Sequence, residues 1–152
     1  MTSRCVQIDP FLGRYYANRS AESIAEEIAA NGFQGVQYIV TRDSRVNRDL
    51  LNALRRRRIH VDYTTFGNGT YDTTDLPDGW QQWRMVTRQP MNDGYTRLCL
   101  NHPEYRRWKK ARIASVLRQY PFNGVHIMEP FWPEYPGPTA PAYACLCARC
   151  RS

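Results

Sequence analysis

Short apolar runs alternate with amphipathic segments along most of the chain. Apolar or β-prone runs occupy residues 5–9, 35–40, 60–66 and 124–128. Between them, residues 20–31, 47–58 and 101–120 repeat apolar positions every three or four residues, which is typical of helices packed on one face. This strand–helix alternation predicts an α/β fold of right-handed βαβ units around a parallel sheet.

The helix boundaries carry their own signals. Ser20 and Asn47 are suitable N-caps for the first two helices, because their side-chain oxygens can accept a bond from a free backbone N–H. Gly32 lies where a helix commonly ends in a left-handed residue. Pro103 suits the first turn of the third helix, where no N–H is needed.

Four such units make the first half of a (β/α)8, or TIM, barrel, whose complete form needs roughly 250 residues. Residues 1–152 are therefore interpreted as the N-terminal (β/α)4 portion of a barrel whose C-terminal half is missing. The segment at about 67–101, after the third strand, has no clean period and is predicted to be a long functional loop. A small open sheet of the flavodoxin type is the alternative.

The net charge of +7 comes almost entirely from arginine. Such a balance favours contact with anions but does not determine the fold. The densest cluster, Arg55 to Arg58, comes at the end of a predicted helix, where cations oppose the negative end of the helix dipole. A nucleic-acid patch is the alternative interpretation of the same residues.

Two classes of location are disfavoured by the sequence. No apolar run is long enough to cross a bilayer, so no membrane association is expected. The first residues lead into a predicted strand without the apolar core of a signal peptide. We therefore expect a cytoplasmic protein.

Three of the five cysteines form a C-x-C-x-x-C motif at Cys145, Cys147 and Cys150. Three thiolates on a tight turn need a fourth ligand to complete a tetrahedral zinc site. Cys99 is the better candidate, because Cys5 is expected to be buried in the first strand. Four thiolates leave no open position, so the zinc would be structural; reduced, unligated thiols are the alternative.

Ligand-binding groups of parallel α/β folds gather where the strands end. Glu129 follows the fourth strand directly, and an apolar setting there would raise its pKa and suit a general acid. Aromatic side chains that can pack on sugar rings come next, and Asp9 ends the first strand. The predicted substrate-binding residues are Asp9, Phe131, Trp132 and Tyr135. A glutamate paired with an arginine is the alternative for Glu129.

The stretch from Cys99 to Arg106, a helix, a strand ending in Glu129 and the C-x-C-x-x-C motif together resemble glycoside hydrolase family 42. More broadly, they resemble the β-galactosidase-like members of the retaining-glycosidase barrel clan. The resemblance is specific from about Arg97 to Cys150 and architectural before that. It implies that the four cysteines hold zinc, that Glu129 is the acid/base residue, and that the nucleophile comes from a seventh strand outside this chain.

The leading hypothesis is therefore a retaining glycoside hydrolase acting on a carbohydrate substrate, with the chain alone inactive. Met128 stands where the family has an asparagine that bonds the sugar 2-hydroxyl. This departure favours a second hypothesis, a non-catalytic carbohydrate-binding barrel that keeps the structural zinc. A basic zinc module that binds nucleic acid ranks last, because the strand–helix alternation is not that of a zinc finger.

Overall fold

A parallel sheet with helices between its strands organises the fold. The computed structural model describes residues 4–11, 14–16, 18–88, 91–128 and 145–151. The strands are β1 Cys5–Ile8, β2 Gly35–Ile39, β3 His60–Phe66, β4 Gly69–Thr70, β5 Thr96–Arg97 and β6 Gly124–Met128. The helices are α1 Ala21–Ala30, α2 Arg48–Arg56, α3 Pro103–Gln119 and α4 Ala148–Arg151. The predicted α/β class with parallel (β/α) units is confirmed.

The spatial order of the four main strands is β1-β2-β3-β6. The parallel register brings Val6 beside Val36, and Val36 beside Val61. Strands that follow one another along the chain are thus neighbours in the sheet, as successive right-handed βαβ units require. The arrangement is consistent with half of a (β/α)8 barrel.

The predicted helix boundaries are confirmed by their hydrogen bonds. Ser20 Oγ accepts from Ser23 N at 3.1 Å, and Asn47 Oδ1 accepts from Leu50 N at 3.0 Å. Gly32 has a φ of +70°, a left-handed conformation that favours glycine just after a helix. Pro103 is the first residue of α3.

The arginine cluster at the C-terminal end of α2 is partly paired. Arg56 and Arg57 both contact the carboxylate of Glu22 on α1, the latter at 2.7 Å. Hydrogen bonds from these two guanidinium groups lower the pKa of Glu22. The positive charge of the cluster is therefore partly neutralised by a carboxylate on α1.

The chain divides into two compact units. The sheet unit comprises residues 1–65 and 113–127, and the cysteine unit comprises residues 66–112 and 128–152. In the sheet unit, apolar side chains from the strands and helices form one continuous core. Its largest fully buried members are Tyr38, Leu50, Leu51, Leu54 and Tyr63.

The cysteine unit has two smaller clusters of buried side chains. One centres on Trp83, Leu98 and Tyr105. The other contains Met85, Cys99 and Cys145. The segment predicted as a long loop therefore contains regular structure, including the antiparallel pair of β4 and β5 and a 3₁₀ turn at Trp80–Trp83.

One expectation about burial is wrong. Cys5 is exposed, because it is the first residue of β1, and β1 stands at one end of the strand order.

None of the helices in the described part of the chain combines the length and the apolar character that a bilayer crossing requires.

Candidate metal centre

The sulfur atoms of Cys99, Cys145, Cys147 and Cys150 converge on one point. All four Sγ atoms lie within 4.8 Å of one another. Cys99 Sγ is 3.7 Å from Cys147 Sγ and 3.4 Å from Cys150 Sγ. None of the four is in a disulfide. The structure thus brings together the four predicted ligands. Cys99 precedes the other three by 46 to 51 residues in the sequence.

Backbone pairing fixes the position of Cys99. The residue follows β5, and its N–H donates to the carbonyl of Trp83 at 2.7 Å. Next to this bond, Arg84 and Leu98 form an antiparallel bridge, and Met85 N donates to Arg97 O at 3.0 Å. Residues 83–85 therefore act as a short strand that holds Cys99 from one side.

The same segment also holds the second group of cysteines. Leu146 N donates to Val86 O at 2.7 Å, which ties the C-x-C-x-x-C motif to the residue after Met85. The short helix α4 then begins, and Cys150 N donates to Cys147 O at 2.9 Å. One helical turn returns Cys150 to the side of Cys147, so both thiols reach the same point.

The geometry fits a tetrahedral metal ion. A zinc–sulfur distance of about 2.3 Å places neighbouring sulfur atoms of a tetrahedron about 3.8 Å apart. The separations of Cys99 Sγ from Cys150 Sγ and Cys147 Sγ, 3.4 and 3.7 Å, are close to this value. Cys99 and Cys145 are buried and the other two are partly buried, so bulk water has little access. The four residues can hold a metal ion, and no coordination position is left open for a substrate.

The ionisation of the thiols depends on their burial and on the neighbouring cysteines. Burial raises the pKa values of Cys99 and Cys145 above the ordinary value. Burial opposes ionisation of Cys147 too, but hydrogen bonds from its cysteine neighbours outweigh this effect and lower its pKa to about 7. A bound metal ion would stabilise all four thiolates. Burial deprives the thiolates of solvation by water, and the positive charge of the ion would compensate for that loss.

Groups around the cysteines are placed to support thiolates. Asn101 Nδ2 donates to Cys150 Sγ at 3.3 Å, a bond of the kind that orients metal ligands. Arg151 Nε donates to the carbonyl of Leu146 at 2.6 Å and so fastens the motif to α4. His102 is buried three residues after Cys99; burial, followed by the charge of Arg149, lowers its pKa.

Of the remaining predicted site residues, the structure describes only Asp9. Asp9 follows β1, as predicted, and its Oδ1 accepts from Phe11 N at 3.0 Å. The other four, Glu129, Phe131, Trp132 and Tyr135, lie outside the described residues. Their predicted roles in catalysis and in substrate binding therefore stay predictions.

Two contributors to the site were missed by sequence reasoning. The segment Trp83–Val86 holds both cysteine groups, but its four residues are too short to show a strand period. Asn101 was predicted only as part of a helix start. Its position two residues after Cys99 could have predicted this role, because a polar side chain so close to one ligand can reach the sulfur of another, here Cys150.

A scan against protein-family models finds no match for this chain, and a search among curated proteins finds no relative.

Proposed function

We propose that this chain is the N-terminal half of a retaining glycoside hydrolase-like barrel in which a structural zinc ion holds two distant segments together. The observation that carries the proposal is the convergence of Cys99 with Cys145, Cys147 and Cys150. The family resemblance requires this convergence, and an unrelated fold with the same strand–helix alternation would not.

Zinc is the metal that best fits the ligands. Four thiolates are soft ligands, and a tetrahedral arrangement of four sulfurs is typical of zinc or of iron–sulfur sites. The buried, fully coordinated position suits a structural ion, which stabilises the fold and takes no part in chemistry. When bound, zinc would supply a fixed positive charge to the thiolates of the cysteine unit.

The sheet supports the half-barrel interpretation. In the described part of the chain, β6 ends the strand order and carries exposed Val125 and Ile127. Exposed apolar residues on an end strand favour association, which natural proteins avoid by covering or pairing that strand. Further strand–helix units would provide the cover and close the barrel.

In the proposed reaction, Glu129 protonates the glycosidic oxygen as the sugar leaves and then deprotonates a water molecule in the second step. A retaining enzyme needs its second carboxylate about 5–5.5 Å from the first. By the family resemblance, that carboxylate comes from a seventh strand outside residues 1–152. The chain by itself is therefore expected to lack turnover.

A second candidate is a carbohydrate-binding barrel without catalysis. Met128, the last residue of β6, favours it. A thioether cannot donate to the sugar 2-hydroxyl, and bonds to that hydroxyl contribute several kcal/mol in the transition state of glycosidases. Such a protein would bind saccharides and show no turnover.

The test starts from the coding sequence beyond Ser152, where we expect four further strand–helix units. The longer protein is assayed on a panel of aryl glycosides. Glu129→Gln removes the proposed acid/base group and is expected to lower turnover about 10²–10⁴-fold, since general acid–base catalysis contributes that much. Glu134→Gln, five residues on, is the matched control and is expected to keep activity.

Each result bears on the proposal. A fully active Glu129→Gln protein would refute the assignment of the acid/base residue. Saccharide binding without turnover in the unmodified protein would favour the second candidate. If the coding sequence ended at Ser152 and the protein folded without a second chain, the open-sheet alternative would be favoured.

A further inference from the structure

The first part of α3 carries a dense positive charge. Five of the ten residues 103–112 are lysine or arginine, and one is acidic. These ten residues belong to the cysteine unit. Arg106, Arg107 and Lys110 are exposed. They are distinct from the run Arg55–Arg58, which lies in the sheet unit.

The three exposed cations share one side of the helix. Each residue step turns an α-helix by about 100°, so Arg106, Lys110 and Arg107 lie within about 100° of one another. The aromatic residues of the same turns lie on the other side. The ring centroids of Tyr105 and Trp108 are 6.0 and 5.7 Å from that of Trp83, and this packing anchors the helix.

Nearby carboxylates do not neutralise the three cations. Glu104 Oε2 accepts from Trp83 Nε1 at 3.3 Å, and Asp75 lies 3.8 Å from Arg112. Among the residues that the structure describes, no carboxylate pairs with any of the three. Like charges one turn apart destabilise a helix, so an anionic partner that neutralises them is favoured.

The cysteine motif lies beside this part of α3 and adds a fourth cation. Asn101 Nδ2, just before the helix, donates to Cys150 Sγ at 3.3 Å, and Arg106 N donates to His102 O at 3.1 Å. Burial, and then the charge of the nearby Arg149, lower the pKa of His102. Arg149 is itself exposed on α4. Cations from both helices therefore adjoin the start of α3.

We propose that the basic patch formed by Arg106, Arg107, Lys110 and Arg149 binds the phosphate backbone of a nucleic-acid duplex. Duplex DNA carries one negative charge per about 1.7 Å of its axis, and cations that contact its phosphates release condensed counterions. The proposal goes beyond the proposed function and does not depend on it.

A single strand fits the patch less well. Proteins that bind single strands stack the bases on aromatic side chains. In this part of α3, Tyr105 is buried and Trp108 is half-buried against Trp83, so neither ring is presented beside the cations.

An anionic membrane also fits less well. A helix that lies in a membrane interface exposes apolar residues beside its cations. The apolar residues of α3 are instead packed in clusters inside the protein, Ile113, Val116 and Leu117 among them. The observations therefore favour a duplex.

The test measures binding of the 152-residue chain to a labelled DNA duplex of about 24 base pairs by fluorescence anisotropy, between about 50 and 300 mM NaCl. The triple variant Arg106→Gln, Arg107→Gln, Lys110→Gln is expected to bind more than about tenfold more weakly at about 100 mM NaCl. The slope of log affinity against log salt concentration should fall in magnitude by about 2 to 3, because each phosphate contact contributes about 0.9.

Two further variants separate lost charge from lost folding. Arg106→Lys with Arg107→Lys keeps both charges and is expected to keep the affinity within about threefold, because lysine also binds phosphate as a point charge. The single variant Lys110→Gln is expected to reduce the salt slope by about 1.

The matched control removes the same charge from the sheet unit. Arg55, Arg56 and Arg58 are all exposed, and their joint replacement by glutamine is expected to weaken binding less than about threefold. Charges farther from the duplex than the screening length of about 10 Å at 0.1 M salt contribute little.

Four results would overturn the proposal. They are no binding of the duplex, equal losses in the two triple variants, tighter binding of the single strand than of the duplex, and binding of phosphatidylserine-containing vesicles that needs the same three cations. Turnover assays of Glu129→Gln in the longer protein test the glycosidase proposal separately, so either proposal can fail without the other.

Discussion

Each of the two compact units is stabilised internally by a different kind of interaction. In the sheet unit, fifteen of the described residues form one buried cluster made of aliphatic side chains and two tyrosines, so burial of apolar area supplies the stability. In the cysteine unit, the two buried clusters are small, and one of them consists of a methionine and cysteines. A segment with so little apolar core needs another cross-link, and four converging thiols could provide one by holding a metal ion.

A sequence shows the two kinds of unit in different ways. Apolar periodicity reveals the first, because each buried side chain is repeated at helix or strand spacing. The cysteine unit is visible only through its metal-ligating residue types, because its structure depends on contacts between a few residues that are distant in the sequence. Removing the source of stability of one unit at a time tests this contrast.

The largest effect is expected on removal of the proposed metal ion. Structural zinc contributes about 10–16 kcal/mol of apparent binding energy in zinc-finger peptides, and part of that energy is folding energy. Treatment with a chelator is expected to abolish hydrogen-exchange protection at residues 83–86, 96–99 and 146–151. Protection at residues 36–39 and 61–64 of the sheet unit is expected to persist. Equal loss in both units would show that the metal stabilises the whole chain.

A core substitution is expected to give the opposite pattern. Leu51 is fully buried on α2, and Leu51→Ala should cost about 2–5 kcal/mol through lost burial and the cavity that remains. Hydrogen exchange should rise in the sheet unit while the bound metal is retained. Arg55→Ala, at an exposed position of the same helix, is the control and is expected to change the free energy of unfolding by less than about 0.5 kcal/mol. Loss of metal from Leu51→Ala would contradict the separation of the two units.

A smaller effect is expected at the Asp93–Arg97 pair. Hydrogen bonds from Arg97 lower the pKa of Asp93 from its ordinary 3.8 to about 2. Because the folded-state pKa is below the unfolded one, the ionised carboxylate stabilises the fold above about pH 4, and this contribution is lost as the pH falls toward 2. Asp93→Asn should therefore lower the free energy of unfolding by about 1 kcal/mol at pH 7, because solvent screens the exposed Asp93 side of the pair. The difference should become progressively smaller in acid.

The measurement is the difference in unfolding free energy between the unmodified chain and the variant from pH 7 to pH 2, so that acid release of metal affects both alike. Asp78→Asn changes an exposed aspartate of the same segment and is the control. A difference that stays constant over the whole range would show that the pair has no electrostatic role.

Most of the sheet unit was predictable. Ser20 and Asn47 cap helices where the residue types indicate, because capping is a local interaction between a side chain and the next turn. The four main strands were predicted within a residue or two, because each carries a run of apolar or β-branched residues. The burial of Cys5 was mispredicted, because the position of β1 at the end of the sheet depends on partners distant in sequence.

Less of the cysteine unit was predictable. The convergence of the four cysteines was predicted, because three of them share one tight turn in the sequence and Cys99 was the better candidate for a fourth. The two-residue strands β4 and β5 and the bridging segment at Trp83–Val86 were not, since hydrogen bonds between distant residues define them and no period precedes them. The ring contacts among Phe66, Tyr71 and Tyr95, with centroids 4.8 to 5.6 Å apart, were missed for the same reason.

The most direct test of the central claim is the metal content of the chain, measured by native mass spectrometry and elemental analysis. The unmodified protein is expected to hold one zinc ion. Cys99→Ser is expected to weaken zinc binding by more than about 100-fold, beyond the effect typical of outer-shell partners, while Cys5→Ser, the cysteine outside the cluster, keeps it. A chain without metal, or a Cys99→Ser protein that binds zinc as tightly as Cys5→Ser does, would contradict the account.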